Sequence, residues 1–396
     1  MKPGFSARTS WNTEETECAR TLRERRAAGL PVLDLTTSNP TRCGFEYDAD
    51  RLLLPLADPS ALDYDPDPRG MLRAREAVSS YYVSHRAEVD PEKIFLTTST
   101  SEAYSYLFRL LCDPGDEVLI AQPSYPLFDF LADLDHVRLI PYSLFYDYGW
   151  HMDLQSLREK ITSRTRAIAL VHPNNPTGHF STLQERLQLE AVCREHGLAL
   201  IVDEVFLDYP LGDGAVPSFA TADHPALTFV LSGLSKIAAL PQMKAAWIAC
   251  FGPEPALAEA IRRLEVIADT FLSMNAPIQC ALPAWLRESG NLREQIRRRT
   301  SGNLAALDQA LAAQTLVSRL RVDAGWYAVL RVPAIAGDEE ISLRLLLDHG
   351  VAVHAGRFFG FPGSGWLVVS LLTHQEVFRA GIDGIASYFS NLDACT

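Results

Sequence analysis

Between residues 94 and 271 the chain repeats one unit: a short apolar run, a turn, then a stretch with helical spacing. Seven runs read as strands: Ile94–Thr97, Glu117–Ala121, Val137–Pro141, Ala167–His172, Ala199–Asp203, Thr228–Ser232 and Ala245–Cys250. Ser101–Leu111, Leu154–Lys160, Leu183–Glu195 and Glu254–Phe271 carry the spacing of helices. Strands apolar on both faces that alternate with helices build an α/β domain around a mostly parallel sheet, covered on both sides. Asp113-Pro114-Gly115-Asp116 supplies a turn before the second strand. No internal repeat or low-complexity tract points to another architecture.

The pattern changes after about residue 290. Arg293–Ala312 reads as a long charged helix, followed by strands Tyr327–Val332 and Trp366–Leu371 around a helix at Glu340–His349. These features predict a large domain over 46–290 and a small α/β domain made from 1–45 and 291–396, with Val32–Leu35 leading in.

A chain of 396 residues that is 47% hydrophobic can bury a large core. No apolar run reaches the roughly 18–20 residues of a membrane span. Met1 to Arg20 is polar and charged, unlike a secretory signal. A net charge of −13 argues against a nucleic-acid surface. Seven cysteines, at 18, 43, 112, 193, 250, 280 and 395, form no CxxC pair. Unpaired thiols in a reducing compartment are expected, without structural zinc. The expectation is a cytoplasmic enzyme with no nucleic-acid or membrane partner.

Several strand ends carry reactive or ligand-holding residues. Ser99-Thr100-Ser101-Glu102 has the S-x-x-E spacing of a helix start, whose free N–H groups and dipole suit a phosphate. Asp203 closes an apolar strand, at the edge where α/β sheets place ligands. Asn175 lies in the turn His172-Pro173-Asn174-Asn175-Pro176-Thr177-Gly178, and Tyr125 in Gln122-Pro123-Ser124-Tyr125-Pro126. Lys236 follows a small-residue turn in Ser232-Gly233-Leu234-Ser235-Lys236, which predicts an inward-facing loop. A lysine amine there can condense with an aldehyde and later carry a proton as a base.

In this order the motifs resemble the class I/II aminotransferases, pyridoxal-phosphate enzymes of fold type I (the aspartate aminotransferase fold). The resemblance runs from Asn39-Pro40 to Ser370. It implies that Lys236 holds pyridoxal 5'-phosphate and that Asp203 pairs with its ring nitrogen. Ser99, Thr100, Ser101 and Lys244 then surround the phosphate, Ser235 also touches the cofactor, Tyr125 stacks on the ring and Asn175 faces the ring oxygen and substrate. Tyr64, in Tyr64-Asp65-Pro66-Asp67-Pro68-Arg69-Gly70, resembles a tyrosine that reaches the neighbour's phosphate in a homodimer with shared sites. The implied reaction passes an amino group from an amino acid or amine donor to a 2-oxo acid. C–S elimination, decarboxylation or racemisation on the same fold is the alternative.

Departures from the family pattern bear on the substrate. Phe206 stands where a tyrosine is usual, Ser38 and Ala246 where glycines are, and Lys244 where an arginine clamps phosphate. Val368 replaces the arginine that holds the substrate carboxylate. Arg357 in Gly356-Arg357-Phe358-Phe359-Gly360, and Arg42 beside Asn39-Pro40-Thr41, are the candidate substitutes.

Overall fold

The computed structural model describes residues 4–64, 66–212, 214–221, 223–272 and 274–393. Asp65 of the tyrosine motif and Cys395 lie outside the described residues. An eight-stranded sheet forms from β1 (Ile94–Thr97), β2 (Glu117–Gln122), β3 (Arg138–Tyr146), β4 (Trp150–Met152), β5 (Thr165–Val171), β6 (Ala199–Asp203), β7 (Thr228–Gly233) and β8 (Ala246–Phe251). The order across the sheet is β1-β8-β7-β6-β5-β2-β3-β4. Strands β7, β6, β5, β2 and β3 are parallel neighbours, whereas β8 runs antiparallel to β7 and β1. All five residues of β6 and all six of β7 and β8 are buried, because helices cover both faces.

All seven expected runs are strands. The third continues to Tyr146 and folds back as the three-residue β4, too short to leave a period in the sequence. The helix Ala276–Glu288 escapes the sequence pattern because it holds Pro283 internally as well as Pro277 in its first turn. At the Asp113–Asp116 turn, Gly115 takes φ 87, which a side chain would resist.

The helix following β1 is α1 (Thr100–Leu111). Farther along, α2 (Gly290–Leu311) starts against the larger core with Leu292 and Ile296 and ends in a second core with Leu307 and Leu311. The second sheet is antiparallel, ordered β9 (Ser318–Arg319), β10 (Tyr327–Arg331), β12 (Trp366–Ser370), β11 (His354–Ala355). Its one face sends Ala328, Leu330, Leu367 and Val369 into the second core, with α3 (Asp338–His349). Its other face turns Val329 and Val368 toward the larger core. Leu33–Asp34 pairs in parallel with Val351–Ala352, so the N-terminal segment completes this region. Among the described residues, no helix is long and apolar enough to cross a membrane, and six cysteines are free thiols.

Candidate active site

The topology gathers the candidate residues at one edge of the large sheet. Ser99, Tyr125, Asn175, Asp203 and Lys236 follow the C-terminal ends of β1, β2, β5, β6 and β7. Lys244 precedes the antiparallel β8, whose start pairs Ala246 with Gly233, so it reaches the same edge. Crevices outside strand ends are where open α/β sheets bind ligands.

Lys236 sits on a single helical turn, Leu234–Ile237, rather than on the expected loop. Just before it, Gly233 packs where a Cβ would meet Ala246 Cβ at 2.8 Å and Ala245 O at 2.9 Å. The Lys236 carbonyl accepts a 2.6 Å hydrogen bond from the Tyr209 hydroxyl. The amine lies 4.9 Å from the centre of the Trp326 ring and 5.7 Å from that of Phe206. Burial lowers its pKa to about 8, against the opposing pull of Asp203. Among the described residues, no carboxylate comes within 4.0 Å of it.

Asp203 is buried at the end of β6, and burial pushes its carboxyl up to about 7. The Val205 N–H (3.2 Å), the charge of Lys236 and the buried phenol of Tyr104 on α1 pull it back down. A carboxyl held this far above its ordinary range lacks a full cationic partner. The adjacent Glu204 turns away, binding Ser218 Oγ at 2.7 Å and the Phe219 N–H. That separates two carboxylates which the sequence placed equally well.

At the start of α1, Ser99 caps the helix by accepting from the Glu102 N–H at 3.1 Å. The expected reciprocal bond is displaced by one residue: Glu102 accepts from the Thr98 N–H (2.7 Å) and hydroxyl (3.1 Å). The N–H groups of Thr100 and Ser101 have no acceptor among the described residues, as an anion site requires. Lys244 is exposed at this edge, with φ 51.

Asn175 is buried, and its amide oxygen has no hydrogen-bond partner among the described residues. The turn around it is fixed at both ends. Asn174 Nδ2 donates to Pro123 O at 3.1 Å, and Gly178, at φ 69, leaves no room for a Cβ against Ala324 O. The Tyr125 loop is in turn held by Ser124 N–H donating to Phe359 O at 2.9 Å. Tyr125 is 39% exposed, close enough to Asp203 for its charge, with burial, to raise the phenol's pKa. Tyr327 is buried, and burial pushes its phenol up to about 12.

Three candidates stand outside this cluster. Tyr64 is 80% exposed, beside a groove lined by Met71, Leu272 and Gln279. Arg42 is exposed with no ion pair among the described residues. Arg357 is exposed, its nearest acid being Glu339 at 3.7 Å, and it borders a cavity shared with Tyr125. Val368 is fully buried between Val329 and His354 on neighbouring strands. Sequence reading missed Tyr104, Tyr209 and Trp326; the i+5 step from Ser99 to Tyr104 is the only local signal among them.

The residues fit pyridoxal phosphate: unbonded N–H groups at a helix start, an orphaned amide, a carboxyl awaiting a cation and a buried amine of lowered pKa. Known proteins agree with this reading. The chain is 29% identical over 376 residues to the alanine aminotransferase of Mycobacterium tuberculosis, covering 91% of this chain and 86% of that protein. It is 28% identical over 373 residues to the glutamate-pyruvate aminotransferase AlaA of Escherichia coli, covering 91% of each. In fold it matches an aminotransferase structure from Escherichia coli with a TM-score of 0.86 at 24% identity, covering 98% of both chains. Residues 52–381 match the family described as aminotransferase class I and II, and it is to this family of pyridoxal-phosphate enzymes that the chain belongs.

Proposed function

We propose that the protein transfers an amino group from an amino acid or amine donor to a 2-oxo acid, with Lys236 as the residue that holds the cofactor and moves the proton. The observation that carries this reading is the buried Lys236 amine, its pKa near 8, facing the buried Asp203 carboxyl at one sheet edge. When bound, pyridoxal phosphate supplies an aldehyde for the amine and a ring that draws electrons from the α-carbon. Asp203, ionised once a cation offsets its burial, would hold a proton on the ring nitrogen. Asn175 orients the ring through its free amide. Thr100 and Ser101 N–H groups, the Ser99 and Ser235 hydroxyls and Lys244 take the phosphate. Tyr125 covers the ring on one face. With its pKa near 8, the Lys236 amine would be a base of the right strength near neutral pH to move the α-proton.

The exposed apolar residues Leu53, Leu54, Leu62, Val266 and Leu272, with Tyr64, support a homodimer in which Tyr64 enters the second site. Val368, buried and apolar, supports a substrate that is not anchored by the usual arginine; Arg357 and, after it, Arg42 take the carboxylate.

Borohydride reduction of the purified protein followed by peptide mapping tests the core of this. Label on Lys236 is expected; label on another lysine with cofactor bound refutes it. A panel of amino donors with a 2-oxo acid then separates transfer from elimination, decarboxylation and racemisation. Stoichiometric conversion of the oxo acid to an amino acid is the expected product.

A further inference from the structure

Four of the six indole N–H groups in this protein have an acceptor: Trp11 with Asp133, Trp247 with Tyr82, Trp285 with Leu52 and Trp366 with Pro362. Trp150 and Trp326 are buried with no acceptor among the described residues. Trp150 packs against Tyr146, Phe361 and Trp366 at the end of β3. Trp326 lies against the lysine turn. Its ring packs edge-on against Phe206 (5.3 Å, 79°) and Tyr209 (5.1 Å, 67°), and the Lys236 amine is 4.9 Å from its centre.

None of these neighbours takes the proton. Phe206 has no polar atom, the Tyr209 hydroxyl is turned to Lys236 O and makes no bond with the indole, and an ammonium is no acceptor. Folded proteins seldom leave a buried donor unmatched, because it loses its water without replacement. Trp326 is held in place by its own backbone, accepting from the Leu371 N–H at 2.7 Å, and by Gly325 N–H donating to Tyr209 O at 2.8 Å. The donor is therefore rigid, buried and beside the reactive amine.

We infer that the Trp326 indole N–H donates a hydrogen bond to an anionic oxygen held next to Lys236. Two ligands carry such an oxygen. Pyridoxal phosphate has an acidic ring oxygen on the carbon adjacent to its aldehyde, and an amino-acid substrate has its carboxylate. The inference rests on Lys236 being the cofactor lysine.

The test is nuclear magnetic resonance of the protein with 15N-labelled tryptophan, titrated first with pyridoxal 5'-phosphate and then with succinate as a carboxylate probe. Trp326→Phe assigns the signal and keeps the ring while removing the donor. If that variant does not fold, Phe variants of the other five tryptophans assign their signals one by one, leaving Trp326 by elimination. A downfield move of the Trp326 signal on adding pyridoxal phosphate identifies the cofactor oxygen. A donor to that oxygen stabilises the form that has lost its proton. Trp326→Phe then raises the pH midpoint of the bound cofactor's absorbance by about one unit. A move only on adding succinate, with roughly tenfold weaker succinate binding in Trp326→Phe and an unchanged midpoint, identifies the substrate carboxylate. A Trp326 signal indifferent to both ligands, in protein that labels at Lys236, overturns this inference alone. Failure to label Lys236 overturns the functional reading with it.

Discussion

The Tyr209 hydroxyl donates a 2.6 Å hydrogen bond to the carbonyl of Lys236, tying a buried phenol to the backbone of the lysine turn. Asp208, next along, binds Arg293 of α2 at 2.7 Å and accepts from Tyr81 at 2.8 Å. The turn that carries the amine is thus braced from the segment after β6 and, through Asp208, from the long helix. Tyr209→Phe removes that bond and leaves the carbonyl with backbone donors alone, the Ala239 N–H at 3.1 Å among them. Chemical denaturation of the cofactor-free protein is expected to show a loss of about 1 kcal/mol. A variant as stable as the parent would mean that the bond does not brace the turn.

Asp203 makes a prediction about pH. The folded, cofactor-free protein holds its carboxyl proton up to about pH 7, whereas the unfolded chain releases it in the ordinary carboxylate range. The folded state therefore binds more protons between those limits, and stability falls as pH rises through that window. Asp203→Asn removes this burden. Its cofactor-free melting temperature should exceed the parent's by several degrees at pH 8 and converge with it near pH 4. With cofactor added the order should reverse, because asparagine cannot hold the ring proton. Melting curves at both pH values, with and without pyridoxal phosphate, decide it. A cofactor-free variant no more stable at pH 8 would mean that Asp203 carries no such burden.

These two residues mark where the sequence was legible. Asp203, Lys236 and Ser99 could be read locally, because each ends an apolar run or opens a helix. The parallel sheet came through for the same reason: strands buried on both faces are continuous apolar runs bounded by turns. Tyr209 and Trp326 were invisible because their meaning lies in packing. Trp326 is ninety residues from Lys236 in sequence, and only the docking of the Gly178 turn and Leu371 around its segment brings its ring to the amine. Glu102 shows a finer limit. Its spacing from Ser99 was right, yet its carboxylate reached Thr98, since two donors on one residue outbid the single backbone N–H.

Lys244 carries a third expectation. It is exposed at the phosphate edge, and its φ of 51 is strained for a side-chain-bearing residue. Lys244→Arg should bind pyridoxal phosphate as tightly or more so, since a guanidinium makes two charge-assisted bonds where an ammonium acts as a point charge. Lys244→Ala should weaken binding by about 1–3 kcal/mol, with the α1 N–H groups still in place. Equilibrium dialysis measures both. Unchanged affinity in the alanine variant would remove Lys244 from the phosphate site.

The last expectation concerns the substrate end of the cleft. Val368 is fully buried and offers a donor's carboxylate no charge, and a carboxylate that loses its water without a charged partner costs several kcal/mol. Another cation must therefore answer, or the donor must lack that group. Arg357 is placed for it. Its guanidinium is only loosely tied to Glu339 at 3.7 Å, and its turn shares a cavity with Tyr125 and is bonded to the Tyr125 loop through Phe359. Arg42 has no acid partner among the described residues but stands on a separate segment, at the end of the turn Pro40–Arg42. Arg357→Ala should raise KM for amino-acid donors about tenfold or more, with little change in kcat, and leave amines without a carboxylate almost untouched. Arg42→Ala should have a smaller effect of the same kind. If wild type prefers amines without a carboxylate from the outset, neither arginine is an anchor and Val368 marks a cleft built for such donors. If common amino acids react well and ignore the loss of both arginines, this assignment of the carboxylate site is wrong.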